Sequence, residues 1–213
     1  MLDALKTWQE YSRFLIGLIA ILDPFIAVPL FVSLTVNRTL AERRRTARVV
    51  TATVFCVLAG ASIAGEALLQ LMGGSLASFR VGGGLVLLLM ALAMLNARAG
   101  DVRQTAEETS AMEQGAGLGV VPLAIPLLAG PGAISTVIVA SHGGGLLHQV
   151  VILACILLAC AVLWLILALA VPVGRRMGTT GLNIANRLLG LLLAAFAIEN
   201  MATGLKQLFP ALG

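Results

Sequence analysis

The sequence predicts an all-α integral membrane protein: six transmembrane helices arranged as two inverted three-helix repeats, with helices one and four discontinuous. Three observations predict it. Of the 213 residues, 59% are hydrophobic and only 11% charged, with a mean hydropathy of +1.00. A water-soluble domain holds about 45–50% apolar and about 25% charged residues. The apolar runs are continuous rather than alternating, which selects helices over a β-barrel. Prolines and glycines interrupt two of those runs at matching places, 107 residues apart (Pro24 and Pro131).

Taken in order, the spans fall near residues 12–36, 47–71, 79–96, 118–140, 148–171 and 187–209. Each is about 18–25 residues, enough for about 30 Å of hydrocarbon at about 1.5 Å per residue. The first is interrupted at Asp23-Pro24. The third opens with Gly82-Gly83-Gly84, small residues that let a neighbouring helix approach closely. The fourth carries PLAIPLLAGPGAIST (122–136), with three prolines and two glycines. Proline removes an N–H and collides with the preceding turn, so a helix stops and restarts around Pro131. Trp8, Tyr11 and Phe209 fall near the interfaces and fit an aromatic belt, while Trp164 packs inside the fifth span. Nothing at the N-terminus reads as a cleavable signal, because Asp3 and Glu10 stand where positive charge is expected.

Shifting the chain by 107 residues aligns Pro24 with Pro131, Gly74 with Gly181, Arg80 with Arg187, Gly83 with Gly190 and Met94 with Met201. Each half holds three spans, an odd number, so the second half inserts upside down. The units are 1–96 and 118–213, joined by a polar linker at 97–117 that carries Asp101, Glu107, Glu108 and Glu113. Of the fourteen Lys and Arg, ten follow odd-numbered spans: Arg38, Arg43, Arg44, Arg45, Arg48, Arg98, Arg103, Arg175, Arg176 and Arg187. The other four (Lys6, Arg13, Arg80 and Lys206) lie on the opposite side. The positive-inside rule puts the ten in the cytoplasm and both termini outside.

Three of the ten carboxylates lie within spans: Asp23, Glu66 and Glu199. Each costs about 2.5–3.5 kcal/mol at a helix centre on insertion scales, which invites a functional reading. Asp23 stands at the first break, where it can carry a coupling proton, hold a cation, bind a substrate ammonium or cap the second half-helix. Glu199 is a second candidate for the coupling ion, or it is an interhelical hydrogen-bonding group. Glu66, near the outer end of its span, snorkels to the interface. At the second break the restarting helix offers free N–H groups and a partial positive charge to an anion. The expected substrate-binding set is therefore Asp23 and Pro24 together with Ala129, Gly130, Pro131, Gly132, Ala133, Ser135 and Thr136. Ser135 and Thr136 either face that cavity or bond back to the preceding turn.

Other chemistries find no support. His142 and His148 flank a glycine loop and are read as solvated rather than metal-binding. Cys56, Cys155 and Cys160 lie in apolar runs as small buried hydrophobes, so no metal and no cofactor is expected. No phosphate-binding loop G-x-x-x-x-G-K-[ST] occurs, no catalytic constellation stands out, and the arginines beside spans do not point to nucleic acid.

The 122–136 stretch, the Asp-Pro break and the Arg-x-x-Gly starts of spans three and six (Arg80 to Gly83, Arg187 to Gly190) resemble the MarC family, also described as small neutral amino acid transporters (SnatA). That resemblance implies a multi-pass protein of the bacterial inner membrane that moves glycine, alanine or similar small neutral amino acids, coupled to protons. The first-span motif departs from the family pattern: Ile26 stands where Gly is usual and Ala27 where Asn is usual. The alternatives are an exporter of other small metabolites or drugs, with the same fold and a different pocket, and, from a different class, a membrane-embedded enzyme or a non-transporting accessory protein.

Overall fold

The computed structural model describes residues 2–35, 38–71, 73–96 and 128–210. The described residues are helical, in the order α1 (Leu2–Leu22), α2 (Pro24–Leu34), α3 (Leu40–Leu71), α4 (Leu76–Asn96), α5 (Pro131–Ser141), α6 (Leu146–Ala168) and α7 (Ala170–Leu208). Among the described residues five segments are long and apolar enough to cross a bilayer, and α5 is a shorter apolar helix. The linker at 97–117 and the first part of the fourth span, with Pro122 and Pro126, lie outside the described residues.

Both expected interruptions are helix starts. Asp23 leaves the helical region with φ of 41°, a left-handed geometry that Asp tolerates better than most side chains. Its N–H still closes α1 on the Ile19 carbonyl at 3.1 Å, and its Oδ1 accepts from the Ile26 N–H at 3.3 Å. One residue thus terminates α1 and caps α2. At the second break Gly130 is extended (φ −67°, ψ 176°) and Pro131 opens α5, a position where its missing N–H costs nothing. Both restarted helices are eleven residues long.

Several helix ends differ from the expected spans. The second helix begins at Leu40 rather than 47, because Thr39 and Glu42 form a reciprocal capping box: Thr39 N–H to Glu42 Oε2 at 2.8 Å and Glu42 N–H to Thr39 Oγ1 at 3.3 Å. The third begins at Leu76, and the fifth closes at Ala168 rather than 171. The sixth extends far upstream of Arg187 in a helix from Ala170, broken only at Gly178, where φ is 61°. Hydropathy reports the apolar part of a helix; caps and glycines set its ends.

The first span, Trp8–Val32, is the centre of the bundle: 56% of its window is buried, against 33% or less for every other span. Around it, α4 and α7 form the most extensive helix pair and α3 packs on α6. The α4–α7 pair is antiparallel, since a Cβ on Gly204 would meet Ala77 and Arg80, one on Gly84 would meet Ala197 and Met201, and one on Gly190 would meet Met94. On the perimeter Leu157, Leu158 and Leu165 of α6 and Leu188, Leu191 and Ile198 of α7 point outward. Such surfaces suit hydrocarbon, where a helix pairs its interior backbone groups within itself.

Candidate functional site

A cavity of about 630 Å³ opens among α1, α4, α5, α6 and α7, within the ~300–1,000 Å³ range of small-molecule sites. Its α1 wall runs from Glu10 to Ala20, a depth of about 15 Å along the helix, so it reaches the middle of a ~30 Å hydrocarbon layer. It opens at the end of the bundle holding the start of α1, His142 and His148, away from the Arg-rich connection after α2. At its floor a narrow cleft of about 10 Å³, with room for roughly one water, continues between Arg80, Gly83, Gly84 and Leu87 of α4, Ser135 and Thr136 of α5, and Asn200 of α7.

The lining is mostly apolar, but it gathers Glu10, Arg13, Arg80, Thr136, Glu199 and Asn200 into one space. Arg80 is half-buried, its Nε is buried with no hydrogen-bond partner, and among the described residues no carboxylate pairs with it. Across the cavity Arg13 of α1 donates to Glu199 Oε1 of α7 at 3.2 Å, with both side chains about two-thirds exposed to the space (68% and 66%). Asn200 ties its Nδ2 to the Phe196 carbonyl at 3.1 Å. On the α6 side His148 accepts at Nδ1 from the Tyr11 hydroxyl at 2.7 Å and donates from Nε2 to the Ala140 carbonyl at 2.8 Å. That bond to a carbonyl fixes the tautomer. Gln149 and Ser141 both reach Ser62 Oγ at 2.7 Å and bind α3 into the same end.

The expected site residues distribute unevenly around this space. Ser135 bonds back to the Gly132 carbonyl at 3.0 Å and lines the cleft. Thr136, 6% exposed, makes no such bond: its Oγ1 has no partner and it lines both cleft and cavity. Gly132 and Ala133 are buried at the start of α5, where helix geometry leaves their N–H groups without intrahelical acceptors. Leu87 and Met90 of α4 lie over Gly132, a Cβ there meeting Leu87 Cδ2 at 2.7 Å and Met90 Sδ at 3.1 Å. Ala129 is buried, Gly130 half-buried and Pro131 exposed; Asp23 and Pro24 are buried at the α1–α2 joint. None of these last five lines the cavity, which stops at Ala20 on the α1 side. Glu199 stands on the cavity wall, while Glu66 falls within α3 with its side chain outside the described set.

Sequence reasoning passed over Arg80, Arg13, Tyr11, His148 and Asn200 as site residues. His148, read as solvated, is instead a bridge between α1 and the end of α5. Arg80 had a signal: a cation on the fifth residue of an apolar helix, preceding a glycine run. Among the described residues no group of three or more His, Cys, Asp or Glu comes together to hold a metal.

Residues 8–209 match the model of the MarC family integral membrane proteins. The UPF0056 membrane protein YhcE of Escherichia coli is 36% identical, covering 100% of this chain and 99% of its own. The UPF0056 membrane protein YvbG of Bacillus subtilis is 33% identical over 92% of this chain and 94% of its own. A UPF0056 membrane protein of Aquifex aeolicus is 34% identical, over 95% and 97%. No solved structure matches the chain.

Proposed function

The chain belongs to the MarC family of integral membrane proteins, and from that premise we propose that it is a secondary transporter of small neutral amino acids such as glycine or alanine, coupled to protons, in the bacterial inner membrane with both termini outside. The observation that carries this reading is the cavity, holding charged and polar side chains among apolar walls, that descends to mid-depth and narrows onto Leu87, the side chain that covers the start of α5 at Gly132. In this reading the cavity is the outer access path and Leu87 with Met90 is its closed floor. Beneath the floor the amides of Gly132 and Ala133 receive the substrate carboxylate at the positive end of α5. Asp23 serves the ammonium or the coupling proton.

The two-repeat arrangement supports it. Residues 24–34 and 131–141, offset by 107, both form proline-led helices of eleven residues. The same exchange relates the packing of α2 on α7 to that of α5 on α4, alongside the mutual α4–α7 and α3–α6 pairs. Inverted repeats of this kind place the substrate between two broken helices and alternate access by rocking one half against the other. The halves are 1–96 and 118–213.

Purified protein in proteoliposomes preloaded with unlabelled alanine or glycine is expected to accumulate the labelled amino acid by counterflow. Failure with every small neutral amino acid, under either pH gradient, would overturn the assignment.

A further inference from the structure

We propose that the floor of the outer cavity is a recognition subsite for a small zwitterion, in which Arg80 and Thr136 take the carboxylate and Glu199 takes the ammonium. This deepens the transporter reading and rests on it, but it concerns a place above the closed floor, adds Arg80, and gives Thr136 and Glu199 specific roles.

The first observation is the state of Arg80. A guanidinium carries five donors in a planar fork matched to a carboxylate. Here the Nε is buried with no partner, and no acidic side chain among the described residues neutralises the charge. An arginine near a helix end is often a snorkel, its charged head lying among lipid headgroups. Arg80 is not placed for that: its Cβ is about 3.0 Å from where a side chain on Gly204 would begin, and it lines the interior cavity and the cleft beneath it. Charged groups facing an internal aqueous space at membrane depth mark substrate pathways.

The second observation is independent. Thr136 Oγ1 is buried and has no hydrogen-bond partner, although a threonine in a helix can bond back to its own preceding turn. Its neighbour Ser135 does so. A buried hydroxyl left open costs free energy unless something arrives to use it. Thr136 lines the larger cavity together with Arg80 and Asn200, so a carboxylate at the cavity floor meets a fork of N–H donors and a hydroxyl together.

Glu199 completes the pattern. It precedes Asn200 on α7 and lines the same cavity. Its pair with Arg13 is solvated on both sides, the kind of ion pair that is weak and readily exchanged. An arriving ammonium replaces the Arg13 guanidinium on Glu199. The separation of opposite charges within one cavity selects a molecule that carries both.

Purified protein in nanodiscs of zwitterionic lipid, titrated calorimetrically, tests this with three probes: L-alanine, propionate (no ammonium) and L-alaninamide (no carboxylate). Alanine is expected to bind at least tenfold more tightly than either analogue. Arg80→Gln is expected to weaken alanine by tenfold or more, since hydrogen bonds to charged groups are the strong ones. Thr136→Val, close in shape and without the hydroxyl, is expected to weaken it by about threefold to tenfold. Should Arg80→Gln fail to fold, Thr136→Val and the alaninamide comparison on the unaltered protein decide the matter. Alaninamide binding as well as alanine, or both variants binding within twofold of the unaltered protein while that protein still transports alanine, overturns the subsite and leaves the transporter reading standing. No binding and no counterflow with any small amino acid removes both.

Discussion

At the scale of single residues, Asp23 does two separable things. Its carboxylate oxygen caps the first turn of α2, and its backbone holds a left-handed φ of 41° between two helices. Asparagine can do both, being as good a cap and equally tolerant of that φ, but it cannot carry a proton. Asp23→Asn is therefore expected to leave the thermal midpoint nearly unchanged while abolishing pH-driven accumulation in proteoliposomes. Asp23→Ala loses the cap as well and is expected to cost about 1–2 kcal/mol of stability. If Asp23→Asn accumulates substrate normally, the proton role passes to Glu199 or is lost. The sequence displayed Asp23 plainly, since a carboxylate before a mid-span proline has few bland explanations. Arg80 and His148 were less legible for a physical reason: their meaning depends on partners far along the chain. His148 meets Tyr11 across 137 positions, and no local pattern encodes that meeting.

Among the helices, the glycines show what composition conveys and what it withholds. Gly82-Gly83-Gly84 signalled close approach, and the structure divides the labour. A Cβ on Gly82 meets nothing within 4 Å, one on Gly83 runs into Ser135 of α5, and one on Gly84 runs into Met201 and the Ala197 carbonyl, at 3.0 Å, on α7. Gly84→Ala is expected to cost about 1–3 kcal/mol through overpacking at the α4–α7 seam. Gly82→Ala should be neutral or stabilising by up to about 1 kcal/mol, because alanine is the better helix former. Thermal unfolding of the two variants in the same detergent checks the contrast, and equal midpoints would remove the seam as an account of the run. Proline-led starts at residues 24 and 131 were readable because each proline follows a residue suited to leaving the helix, Asp23 and Gly130, whereas Pro29 lies inside α2 without ending it. The Thr39–Glu42 cap was also present in the letters, but a hydropathy reading passes over it, which is why α3 begins seven residues before the expected span.

For the molecule as a whole, the question is which side of the membrane the cavity faces. The chain puts Arg38, Arg43, Arg44, Arg45 and Arg48 around the start of α3, at the end of the first span opposite Glu10 and Tyr11. The order of spans along the sequence assigns ten of the fourteen basic residues to that side, and the positive-inside rule predicts that such a side is cytoplasmic. The proposed orientation puts the cavity mouth outside, with the closed floor at Leu87 separating an outer vestibule from the inward path. This is testable without knowing the substrate. In a background with Cys56, Cys155 and Cys160 replaced by alanine, Ala195→Cys places a thiol on the exposed cavity wall. A membrane-impermeant maleimide added to intact cells is expected to label it. Arg44→Cys, exposed near the start of α3, is expected to react only after the membrane is opened. The reverse pattern would turn the protein over, make the cavity an inward-facing one, and require Arg80 and Thr136 to meet their ligand from the cytoplasm.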